Sequence, residues 1–169
     1  WLFTKYDKLG RVVYTGIYNS SLSRKQIQQQ YKSYSIQQNL PGGINKQERL
    51  YEIRDIPETP FYNGGNNIYY TYRSFPFDIN QMQVLTVSYY DDPVIQNGDF
   101  QSFTYNVSTA DIANNLDYME PSTFSHGAGL GNSSSIGLAT ISEVRVLGTN
   151  NWINSASYYD QKGRSVFSI

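Results

Sequence analysis

The phrase Tyr6-Asp7-Lys8-Leu9-Gly10-Arg11 returns near the other end of the chain as Tyr159-Asp160-Gln161-Lys162-Gly163-Arg164, and both read Y-D-x-x-G-R. Its opening recurs in the middle, where Val87-Ser88-Tyr89-Tyr90-Asp91 echoes Ala156-Ser157-Tyr158-Tyr159-Asp160. A phrase used again marks a structural unit used again. This one constrains the fold because its spacing is that of a β-hairpin turn. Asp is favoured at the first position of a type I turn, where its carboxylate accepts a bond from the backbone two residues on. Gly is favoured at the fourth, where a positive φ is often required. A type I turn closed by a left-handed Gly makes a three-residue hairpin loop with a bulge. In that register Arg11 faces Asp7 and Arg164 faces Asp160, each pair worth about 0.2–1 kcal/mol when exposed. Tyr6 and Tyr159 then point to the opposite face, where burial against a neighbouring strand is expected. Tyr6, Asp7, Gly10 and Arg11, with Tyr159, Asp160, Gly163 and Arg164, are thus expected to make sheet and not chemistry.

The rest of the chain agrees with a sheet. Charged residues are 16% of the 169 and aromatic residues 15%, with 16 tyrosines. Tyr is amphipathic and favours strands, so a Tyr-rich, charge-poor chain fits wide sheets with large half-buried side chains. The net charge of −1 and the lack of any basic stretch give no long-range attraction for nucleic acid or an anionic membrane. No apolar run approaches the ~18–20 residues of a membrane-spanning helix. The absence of cysteine excludes a disulfide framework and thiolate metal sites. Low charge with abundant Asn, Ser, Gln, Tyr and Thr fits an exported bacterial protein, secreted or on the cell surface. The strand-like ends, Trp1-Leu2-Phe3 and Val166-Phe167-Ser168-Ile169, read as a segment cut from something longer.

Local patterns predict strands over 2–7 and 11–18, then one helix over 24–34. Ser23 is its N-cap with Gln26 three residues on, and Ile27, Tyr31 and Tyr34 follow at helical spacing. Leu40-Pro41-Gly42-Gly43 predicts a turn or loop. Strands over 49–54 and 67–73 are expected on either side of the Asn63-Gly64-Gly65-Asn66 loop, and further strands over 84–90, 100–107, 140–147 and 154–159. Residues 127–135, rich in Gly and Ser, predict a mobile loop. The fold class expected is mainly β: an antiparallel hairpin or meander sheet, with a long insertion carrying one short helix. The motif units lie near 1–18 and 153–169, with 19–152 as the elaborated insertion of a single segment.

Y-D-x-x-G-R resembles the signature of YD repeats, as in Rhs proteins, the C subunits of insecticidal Tc toxins and teneurins. Phe3 to Gly16, and Val144 to Trp152 leading into Tyr158-Tyr159-Asp160, are similar to the version in large Rhs-type proteins of Bacteroidetes. With Leu85 to Asp92 between them, the resemblance spans most of the chain. It implies a ribbon of hairpins wound spirally into a hollow shell, which in relatives encloses a C-terminal toxin or forms a rigid extracellular body. The repeats themselves catalyse nothing. The partners implied are the flanking regions of the same polypeptide, an enclosed toxin domain and secretion machinery, without nucleic acid or membrane insertion.

Residue patterns for chemistry are weak. His126 is the only histidine, so a zinc site would lack the usual His or Cys set. A triad of His126 with Ser122 or Ser125 and Asp117 lacks a G-x-S-x-G elbow. Gly127-x-Gly129-x-Gly131 lacks the Lys-Ser/Thr ending of a phosphate loop. Asp91, Asp92 and Asp99 lack the spacing of a calcium loop. Glu48, Glu52, Glu58, Glu120 and Glu143 offer carboxylates, but no pair stands out. No catalytic residue, cofactor or metal is therefore expected. The competing reading is a carbohydrate- or protein-binding β module, with Trp152 as its ligand platform and Asn and Gln supplying hydrogen bonds.

Overall fold

A computed structural model describes residues 1–36, 49–54, 60–91, 137–159 and 165–168. It is mainly β and antiparallel with one short helix, as the sequence pattern requires. In chain order the elements are β1 (Leu2–Tyr6), β2 (Val12–Tyr18), α1 (Arg24–Ile36), β3 (Phe61–Asn63), β4 (Asn66–Ile68), β5 (Met82–Tyr90), β6 (Ala139–Arg145), β7 (Trp152–Tyr159) and β8 (Ser165–Ser168). Hydrogen-bonded neighbours run β1-β2-β5-β6-β7-β8 in one sheet, and β3-β4 form a second. The chain divides into two compact units: Trp1–Ser88 with Glu143–Asn154, and Tyr89–Ser142 with Ser155–Ile169.

In the first unit, β1 alternates, with Phe3 and Lys5 inward and Leu2, Thr4 and Tyr6 outward. Phe3 pairs with Gly16 and Lys5 with Tyr14, but Tyr6 pairs with Val12, so Val13 is the extra residue of a bulge. Tyr14 is fully buried. Its ring lies 6.2 Å from Phe3, 5.7 Å from Phe61 and 6.2 Å from Tyr70. Its hydroxyl donates to the Thr71 carbonyl at 2.9 Å, which satisfies the one polar atom this core position buries. β2 continues into β5, pairing Tyr14 with Val87 and Gly16 with Val84, with a second bulge between Thr15 and Gly16.

The β3-β4 hairpin is stitched on by a side chain. Asn63 donates to the Met82 carbonyl at 2.8 Å and accepts from the Val84 N–H at 2.9 Å, so its amide imitates a strand partner of β5. In the second unit, Asp91 N–H donates to the Leu138 carbonyl at 3.1 Å, and the Asp91 carboxylate accepts from Gly137 N–H at 2.7 Å. Tyr89, Thr140, Ile141 and Ala156 are buried there.

Differences from the sequence expectations are local. The helix runs two residues past 34, to Ile36. Residues 49–54 and 69–73 do meet, yet through one isolated bridge and a pair of bonds and not as ladder strands. Arg54 bridges Tyr70, and Ile53 exchanges bonds with Thr71. The Gly64-Gly65 turn instead joins the shorter pair 61–63 and 66–68. Tyr6 is 44% exposed, contrary to the burial expected, because Phe3 and Lys5 take the inward positions of β1. The loop at 40–43, the strand over 100–107 and the loop over 127–135 lie outside the described residues.

Gly16 marks the tightest strand contact. A Cβ there would fall 2.3 Å from the Gln83 carbonyl oxygen and 2.8 Å from the Phe3 ring. Gly16→Ala is expected to destabilise the fold by about 1–3 kcal/mol through overpacking, read as a lowered urea midpoint with the slope unchanged.

Candidate functional site

In the first Y-D-x-x-G-R copy, Asp7 closes the turn, while the Tyr6 carbonyl accepts from Glu52 N–H at 2.7 Å. Gly10 N–H donates to the Asp7 carbonyl at 3.0 Å, and Asp7 N–H donates to the Arg11 carbonyl at 2.9 Å. Asp7 Oδ1 accepts from Leu9 N–H and Arg11 N–H, both at 2.9 Å, and Oδ2 accepts from Arg11 Nε at 2.6 Å. Gly10 has φ +79°, the left-handed conformation a side chain rarely adopts. Asp7, Gly10 and Arg11 thus occupy the places their spacing predicts. In the second copy, Tyr159 donates its hydroxyl to the Ala139 carbonyl at 2.6 Å. Asp160, Gly163 and Arg164 lie outside the described residues, as do His126, Ser122, Ser125, Asp117, Gly127–Gly131, Asp92, Asp99, Glu48, Glu58 and Glu120.

A buried ion pair, invisible in the sequence pattern, lies at the heart of the first unit. Lys5 and Glu52 meet at 3.1 Å with both side chains fully shielded from solvent. The ammonium also donates to the carbonyls of Ser74 and of Pro76, the latter at 2.6 Å, so all three of its donors are used. Glu52 Oε1 also accepts from Ser74 N–H at 2.9 Å and the Ser74 hydroxyl at 2.5 Å. Its Oε2 accepts from the Thr71 hydroxyl at 2.7 Å and Arg73 N–H at 2.8 Å. Every lone-pair direction is engaged, which suits a structural pin and leaves no free base for proton transfer. The other described acidic residue of the carboxylate set, Glu143, is also buried and accepts from the Asn66 amide at 2.8 Å. Among the described residues no group of three or more His, Cys, Asp or Glu side chains is placed to hold a metal ion.

Trp152 is half-buried and donates its indole N–H to the Gly64 carbonyl at 2.9 Å. Concave surface occurs elsewhere. A groove of about 590 Å³ runs between α1 and the segment from Phe75 to Gln81. The helix is anchored there by few contacts. Ser23 and Gln26 form the expected capping box, with Ser23 N–H donating to Gln26 Oε1 at 2.9 Å and Gln26 N–H to Ser23 Oγ at 3.4 Å. Tyr34 is the only helical residue buried. Its hydroxyl donates to the Arg73 carbonyl, Arg49 donates to its carbonyl at 2.6 Å, and its ring stacks on Phe77 at 4.5 Å. Sequence spacing located the helix, but nothing in it pointed to the segment that forms the opposite wall.

Burial lowers the Lys5 pKa to about 8, although the neighbouring Glu52 charge pulls it upward. Tyr14 is pushed well above the ordinary tyrosine value by burial and then by Glu52. An unfolded lysine keeps a pKa of about 10.4. Between about pH 8 and 10 the unfolded chain therefore holds more protons than the folded one, and stability rises with pH. Above about pH 10, Tyr14 reverses the sign, because the folded state then retains a proton that the unfolded state loses. No family model, curated protein or solved structure matches the chain.

Two outcomes are expected. Glu52→Gln leaves a buried, unpaired ammonium and destabilises by about 3–5 kcal/mol in urea unfolding. The unfolding free energy of the parent chain climbs from pH 8 to 9.5, and the double variant Lys5→Met, Glu52→Gln loses that climb.

Proposed function

We propose that the chain is a non-catalytic structural segment of a large secreted Rhs/YD-repeat protein, contributing hairpins to a β-shell that encloses or presents a C-terminal toxin or adhesive domain. The observation that carries this reading is the Asp7 carboxylate. Both of its oxygens are committed to closing the turn from Tyr6 to Arg11, and its one ionic partner is the Arg of the same phrase. A carboxylate committed to closing its own hairpin belongs to a building unit, and the return of the phrase in Tyr159 to Arg164 fits a repeat array. The buried state of Glu52 and Glu143 supports a scaffold role over a carboxylate pair at work on substrate. Neighbouring hairpins of the same polypeptide are the partners this reading requires, since they cover the edges a lone unit leaves open.

The test is the parent reading frame and its product. Further Y-D-x-x-G-R phrases on both sides, with the longer polypeptide forming a hollow particle by electron microscopy, are the expected result. A reading frame without further copies overturns it. Within the hairpin, Asp7→Ala is expected to cost about 1–2 kcal/mol of stability, since one residue's loss removes two backbone bonds and an ion pair. Thermal denaturation of the purified chain measures it.

A further inference from the structure

We propose that the groove between α1 and the Phe75–Gln81 segment is a binding site for a neutral polysaccharide chain. The site does not depend on the shell reading, because all its residues belong to the first unit. Its volume of about 590 Å³ is that of an ordinary small-ligand cleft.

The first observation is the helix stripe. Gln26, Gln29, Gln30 and Ser33 fall at i, i+3, i+4 and i+7, and all four line the groove. In a helix packed on a sheet, that spacing ordinarily carries the apolar face. Here it carries amides and a hydroxyl, opposite a wall of rings. Among the described residues, the side chains of Gln29, Gln30 and Ser33 make no hydrogen bond within the chain. Each amide offers two donors and an acceptor, the complement of adjacent hydroxyls that both donate and accept.

The second observation is a ring surface held in place. Phe77 rests one face on Tyr34, 4.5 Å away and nearly parallel, and meets Phe75 edge-on at 6.1 Å. It nevertheless remains 45% exposed and lines the groove. A flat apolar face beside amides suits a pyranose ring, which has a C–H face for stacking and hydroxyls around its rim. A purely apolar ligand would leave the amides without partners at a desolvation cost.

The third observation is charge. Among the described residues of the lining, Asp78 is the one carboxylic acid, and no Lys, Arg or His joins it. The lining therefore offers an anionic chain no cation to pair with, and gives a neutral one a carboxylate acceptor for its hydroxyls. The rings pack on one another edge-to-face, Tyr31 on Phe75 at 5.8 Å and Tyr18 on Phe75 at 6.1 Å, so they leave no cage for a quaternary ammonium group.

The test is affinity electrophoresis of the chain in native gels cast with a soluble β-1,4-glucan, an α-1,4-glucan, a β-1,4-mannan or a β-1,4-galactan. Polygalacturonate serves as the anionic control, and oligoproline, titrated by fluorescence, as the competing aromatic-groove ligand. Retardation by at least one neutral polysaccharide and none by polygalacturonate is expected. Gln30→Ala, at an exposed helical site, and Phe77→Ala should each weaken retention at least tenfold, with far-ultraviolet circular dichroism unchanged. Trp152→Ala should leave retention as it was. Absence of retardation in all four neutral gels, retention that survives Gln30→Ala, or binding of oligoproline alone overturns the proposal. None of these results bears on whether the parent forms a shell, so the two readings fail separately.

Discussion

The pairing of Lys5 with Glu52 sets the arrangement of the first unit. Neither charge tolerates burial alone, and together they are stable in the interior only because every remaining donor and acceptor is also met. The partners come from three separate stretches: β1, the bridge region at 49–54, and the segment from Thr71 to Pro76. The last of these carries no strand ladder. Its backbone N–H groups at Arg73 and Ser74 point at the carboxylate, and its carbonyls at Ser74 and Pro76 point at the ammonium. Charge thus orders a loop that secondary structure leaves unpaired.

The groove inherits its shape from that loop. Phe75 and Phe77 flank Pro76, whose carbonyl Lys5 holds, so the ring wall stands where the buried pair fixes it. The opposite wall is tied to the same stretch through the Tyr34 hydroxyl on the Arg73 carbonyl. A helix with a single buried side chain would otherwise have little to keep it against the sheet, since isolated helices of its length are marginal in water.

The hairpin at Asp7–Gly10 was legible because turn chemistry is local: the residues that need one another are within four positions. The capping box at Ser23 and Gln26 was legible for the same reason. Strand β5 was legible from its β-favouring residues, Val84 to Tyr90, although its buried set shifts by one at the bulge between Val84 and Val87. Lys5 and Glu52 were not, because one lysine in an alternating strand reads as an outward residue and its partner is 47 positions away. The segment at 49–54 misled by composition. Its mix of large apolar and charged residues reads as a strand, yet Arg49 and Glu52 are buried while Leu50 and Ile53 are exposed. The tertiary partners of Glu52 and the Tyr34 carbonyl bonded by Arg49 decided which side chains turn inward, against what hydrophobicity alone would choose. The groove was hidden likewise, since its two walls are joined only by the fold.

Asp91 stands at φ +72° where β5 ends, and its N–H and carboxylate clasp Leu138 and Gly137 just before β6 begins. The two strand ends are therefore joined by Asp91 on one side and Gly137 and Leu138 on the other. The entropic cost of closing a loop grows only with the logarithm of its length, about 0.6 kcal/mol for each doubling. A clasp of that kind makes the junction a socket. A longer segment there adds little to the cost of bringing β5 and β6 together, because the clasp already joins their ends.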